Sequence, residues 1–197
     1  RQVARRIPPS RLAESLAVQS GPVTVRKEFV RLISDFRVPD AIGLLHQAWH
    51  VENQHRDVRA AIAFQALSWL DDPRAWELLR AAVTGPREVS MQTLRIQPYA
   101  VPAQHRAGIA ALIHEVALGT DDRLRGEALS ALGNWLTAYP DALPVLSDAI
   151  TNLEERASWR NAVNSLAYKV MMPEVGRAVP AGSRLGARFY ATGPQGT

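Results

Sequence analysis

The sequence has no cysteine, which excludes disulfide frameworks, thiolate zinc sites and cysteine nucleophiles. No run approaches the roughly 18 apolar residues that a membrane-spanning helix requires, because the longest mixed stretches are broken by charge or proline. Walker loops, G-x-S-x-G elbows, G-x-G-x-x-G fingerprints and H-E-x-x-H pairs are all missing, and with them the usual sequence grounds for an enzyme. No strand-period alternation stands out. Lysine is scarce, 2 residues against 21 arginines, a bias that fits GC-rich coding better than a site built for phosphate. The opening "RQVARRIPPSR" lacks the apolar core of a signal peptide. We expect a cytoplasmic segment of a larger protein, with no cofactor and no membrane association.

What is present is ordinary globular material: 197 residues, 47% hydrophobic and 21% charged, enough for one domain or one short repeat array. The net charge of +4 is unevenly placed. Residues 1–31 carry seven basic and two acidic groups, and residues 177–197 carry three basic and none acidic. Residues 32–176 therefore hold 13 basic and 17 acidic groups, a net of −4. The basic character lives in the two tails.

The chain repeats itself. Val25-Arg26-Lys27-Glu28-Phe29, Val58-Arg59-Ala60-Ala61-Ile62 and Leu124-Arg125-Gly126-Glu127-Ala128 align without gaps at spacings of 33 and then 66 residues. Ser158-Trp159-Arg160-Asn161-Ala162 follows with the same arginine, and Phe36, Trp69 and Trp135 fall at equivalent positions. Apolar residues recur at helical spacing within each segment, as in Val58, Ile62, Ala66 and Trp69. Each long helix is followed by a proline (Pro39, Pro73, Pro140, Pro173), and proline suits the first position of a helix. These prolines predict shorter second helices, with stripes Ile42, Leu45, Trp49; Trp76, Leu79, Val83; and Leu143, Leu146, Ile150.

The pattern predicts an all-α fold, a right-handed α-solenoid of about four to five helical hairpin repeats. Its parts are a basic N-terminal segment, 1–21, with a short capping helix at Leu12–Val18; repeats at 22–52, 55–85, 86–119, 121–152 and 154–176; and a basic tail, 177–197. The third repeat is irregular, cut by Pro98 and Pro102, with Gln92 where the repeat arginine would fall. The tail's "SRLGARFY" is mildly amphipathic, but a linker is the simpler expectation.

The pattern D/x-V-R-x-x-A-x-x-A-L with a proline-led partner helix resembles the HEAT-repeat family, particularly the short bacterial type similar to phycobilisome-lyase repeats, over residues 22–176. The resemblance implies a scaffold that binds a protein partner along the concave surface of its second helices. Exposed candidates for that contact are Asp40, His46, Gln47 and His50; Arg74, Glu77 and Arg80; Gln104 and His105; Asp141 and Asp148. Nucleic acid is the less favoured partner, in the manner of the alkylpurine DNA glycosylases built on HEAT-like repeats. A tetrapyrrole-protein lyase or chaperone rests on the resemblance alone.

Three constellations bear on chemistry. In "SWLDDPRAW", residues 68–76, an acid pair stands between Trp69 and Trp76. We read it as a corner, with Asp72 as the N-cap of the next helix, because an exposed cap does not separate two carboxylate pKa values. His46 and His50 lie four apart on one helix, the best metal candidate, yet a solvated histidine pair is the favoured reading and no metal is expected. For Arg26, Arg59, Arg125 and Arg160 the resemblance to HEAT arrays implies structural repeat arginines that bond between neighbouring units. A phosphate ladder would want a continuous basic stripe, against the net −4 of the body.

Overall fold

The computed structural model describes residues 8, 11, 21–36, 38–136, 138–154 and 177–179, and every regular element among them is a helix. The expected capping helix at Leu12–Val18, Arg160 with the fifth repeat, and "SRLGARFY" lie outside the described residues. The chain divides into two compact units, residues 1–93 and residues 94–197. The division falls within the irregular segment 86–119.

The first unit contains α1 (Val23–Asp35), α2 (Ala41–Trp49), α3 (Arg56–Ala66), α4 (Pro73–Val83) and α5 (Arg87–Thr93), with a 3-10 turn, Leu67–Trp69, extending α3. First helices pack on first helices and second on second: α1 on α3, and α2 on α4. Helix α4 folds back against α3, and α5 covers both. The i, i+3, i+4 stripes supply the seam, with Val30, Ile33, Leu45, Val58, Ile62, Leu78 and Leu79 all buried. Burial of each large aliphatic side chain contributes about 1.5–3 kcal/mol, so this stripe outweighs any single cap or ion pair in holding the hairpins together.

Start signals act differently from one hairpin to the next. At α4 the expectation holds: Pro73 occupies the first turn, and Asp72 Oδ1 accepts from the Arg74 backbone N–H at 2.9 Å. At α3 the His55 imidazole caps the helix, its Nδ1 accepting from Asp57 N–H at 3.1 Å. Neither Pro39 nor Pro140 heads its α-helix. Asp40 follows Pro39 in the left-handed region, with φ of 51°, and α2 begins only at Ala41. Pro140 opens a 3-10 turn, Pro140–Ala142. Proline's fixed φ suits a 3-10 turn as well as an α-helix, so the residue marks a corner without choosing between them.

The second unit opens with residues 94–105, which carry 3-10 turns at Pro98–Ala100 and Ala103–His105. Then come α6 (Arg106–Leu118), α7 (Asp122–Leu136) and, after the Pro140 turn, α8 (Leu143–Glu154). Helix α6 packs on both α7 and α8, and α7 packs on α8, around Ile109, Ile113, Leu129, Leu132, Trp135, Leu146 and Ile150. Among the described residues, no helix is long and apolar enough to cross a membrane.

Candidate functional site

The packing of α2 on α4 gathers most of the candidate residues of the first unit onto one layer. Arg74 is its centre. Its Nε and Nη2 donate to Asp72 at 3.1 and 2.9 Å, a two-pronged pairing within one helix start. Its Nη1 reaches Asp40, at the start of α2, at 3.0 Å. The guanidinium beside it, helped by the Arg74 backbone N–H, holds the Asp72 carboxyl below its ordinary range, and Asp72 and Asp40 together raise Arg74. Asp40 is positioned by its left-handed backbone and by Gly43, where an added Cβ would overlap the Asp40 carboxylate.

One turn further along, His46 Nε2 on α2 lies 3.2 Å from Glu77 Oε2 on α4. The His46 and His50 rings meet edge to face, centroids 4.6 Å apart. Gln47, His50, Glu77 and Arg80 are exposed, and His46 and Arg74 are half-buried. Among the described residues, no group of three or more histidine, aspartate or glutamate side chains is placed to hold a metal ion.

The corner "SWLDDPRAW" is now concrete. Trp76 Nε1 donates to the Leu70 carbonyl at 2.8 Å, and both Asp72 oxygens are engaged by Arg74. Trp69 closes the 3-10 turn half-buried, its Nε1 covered and without a hydrogen bond among the described residues. The two tryptophans and the acid hold a helix junction.

In the second unit the candidates are scattered. Gln104 and Asp141 are exposed on separate 3-10 turns, and His105 is half-buried beside Gln104. Asp148, on α8, lies 2.8 Å from His114 Nε2 on α6. Sequence reasoning missed His114. The available signal was a recurring distance, since His46 precedes Glu77 by 31 residues and His114 precedes Asp148 by 34, each pair joining packed second helices.

The described repeat arginines, Arg26, Arg59 and Arg125, are each tied to the end of a second helix, directly or through Gln54. Arg125, 3% exposed, donates to the Gly119 carbonyl at the end of α6 at 2.7 Å and to Asp122 at 3.0 Å. Arg59 lies over the ring of Trp49, the last residue of α2, at 5.8 Å. Arg26, 4% exposed, donates to Gln54 Oε1, while Gln54 Nε2 donates to the Ala48 carbonyl at 2.8 Å. Carbonyls at a helix C-terminus carry partial negative charge, so a cation there compensates the helix dipole. Arg26 and Arg125 are too buried to serve as a surface ladder.

A family model described as HEAT repeats matches residues 11–94. No curated protein and no solved structure matches the chain.

Proposed function

We propose that the chain is a scaffold that binds a protein partner on the exposed side of the α2/α4 layer, a reading supported by the match of residues 11–94 to HEAT repeats. HEAT repeats generally serve as protein-interaction scaffolds. One observation carries the reading to this layer. Asp40–Arg74 and His46–Glu77 are cross-ties that fix α2 against α4, and they leave Gln47, His50 and Arg80 exposed around them. A rigid helical surface of mixed charge suits a polar protein face, since little order has to be gained on binding.

Site-specific photo-crosslinking in the native host tests the reading. A photoreactive residue at Gln47 or Arg80 is expected to form a discrete adduct, and one at Lys27 or Phe64 on the first-helix layer is not. Adducts from Lys27 or Phe64 alone, or from none of the four, would overturn the assignment.

A further inference from the structure

Residues 94–105 form the longest connection between the described helices, and they are ordered by their own side chains. Leu94, Ile96, Pro98 and Val101 are buried. The Ile96 carbonyl accepts from Trp135 Nε1 at 3.0 Å, and the Val101 carbonyl accepts from Arg106 Nε at 3.2 Å. Backbone bonds from Ala100 to Gln97 and from His105 to Pro102, at 3.0 and 2.9 Å, close its two turns. At its tip stands Tyr99, 80% exposed. A long connection in a packed domain usually carries function or is disordered, and this one is fixed while its single aromatic points to solvent.

Along the chain on either side of the tip, charge has one sign. No aspartate or glutamate occurs from Leu94 to His114. Arg95 is exposed and Arg106 half-buried, and neither is within ion-pair distance of a carboxylate among the described residues. In contrast, Arg31, Arg56 and Arg74 in the first unit are each ion-paired.

We propose that this loop is a second docking site, for an acidic protein segment with an apolar side chain that packs on Tyr99 while its carboxylates face Arg95 and Arg106. Tyrosine brings large contact area with little rotamer entropy to lose, and binding energy concentrates on such anchors. The two arginines, without a carboxylate partner among the described residues, select the sign of the partner. A single aromatic within an acidic body argues against single-stranded nucleic acid, which wants several stacking platforms along a basic groove. This site belongs to the second unit, and the proposal stands or falls separately from the reading of the α2/α4 layer.

The test is fluorescence anisotropy with the full chain and three labelled probes: a glutamate-rich peptide with central leucines, its lysine-rich counterpart, and oligothymidylate. The glutamate peptide is expected to bind at low salt and to weaken as salt rises. Tyr99→Ala and Arg95→Glu are each expected to weaken it about tenfold or more, while Lys27→Glu on α1 leaves it unchanged. Thermal melts run alongside separate lost binding from lost folding, because an exposed Tyr99 contributes little to stability. No binding of the glutamate peptide, binding indifferent to Tyr99→Ala, or preference for oligothymidylate would each overturn the proposal.

Discussion

Arg74 Nη1 on α4 lies 3.0 Å from the Asp40 carboxylate at the start of α2. That carboxylate occupies the space a side chain at Gly43 would fill. A glycine, a left-handed aspartate and an arginine from the next repeat therefore act as one device, and the first prediction concerns it. Gly43→Ala gains about 1 kcal/mol of helix propensity but displaces the Asp40 carboxylate. Its net effect on the urea midpoint is expected to be small. Asp40→Asn weakens the ion pair with Arg74 and is expected to destabilise the wild type slightly, by up to about 1 kcal/mol, and to have almost no effect in the Gly43→Ala background. Additive effects of the two substitutions in a double-mutant cycle would show that the carboxylate is not held by the glycine.

The second prediction concerns pH. Asp72 has its carboxyl lowered by the Arg74 side chain and backbone N–H. A carboxylate lowered on folding contributes stability that is present above its unfolded value, near 3.9, and is lost as pH falls through the folded value. Asp72→Asn keeps a capping oxygen and removes the charge. Wild type is therefore expected to be more stable than Asp72→Asn at pH 7, with the gap closing as pH falls from about 4. Asp72→Ala removes the cap as well and should cost about 1 kcal/mol at neutral pH. Urea unfolding across the pH range reads both, and a gap that widened in acid would contradict the assignment.

A third prediction ranks the buried arginines. Arg125→Met removes the guanidinium's bonds to the Gly119 carbonyl and to Asp122, at an expected cost of about 1–3 kcal/mol. Arg26→Met should cost less, about 1 kcal/mol or below. Gln54 keeps its other two partners, the His55 backbone N–H at 3.1 Å and the Ala48 carbonyl. Equilibrium denaturation of the two variants in parallel checks the order.

How much of this was legible beforehand depends on the range of the interaction. The two-helix period followed from Arg26, Arg59 and Arg125 at multiples of 33 residues, and the corner at Asp72–Pro73 followed from cap chemistry, which acts within a few residues. The role of Asp40 was not legible, since a left-handed aspartate after Pro39 reads like any N-cap until Arg74 is seen beside it. His114 was hidden for the same reason, because only the packing of α6 on α8 brings Asp148 within reach. Trp135 was placed on the core stripe by its spacing, but its bond to the Ile96 carbonyl spans 39 residues of chain. Pairings of that length are set by how helices stack, which local periodicity does not encode.

Trp135 gives the fourth prediction. Trp135→Phe keeps an aromatic in the core but leaves the Ile96 carbonyl without its donor. The expected cost is about 1–3 kcal/mol. Amide hydrogen exchange should rise most at residues 100–105, whose two turns depend on that anchorage, and less on α8. Uniform loss of protection across the second unit would instead mean that the indole matters only by its volume.

Gln54 bears on how such an array can grow or shrink by recombination. Its one amide accepts from Arg26 on α1 and from the His55 backbone at the start of α3, and donates to Ala48 near the end of α2. A crossover placed before residue 54, where the sequence alignment would put the edge of the first repeat, separates Arg26 and Ala48 from this amide. A crossover after His55 carries all three groups together. The inheritable module is therefore offset from the aligned repeat, and duplications that respect the offset are those in which the duplicated hairpin arrives with its buried arginine already bonded.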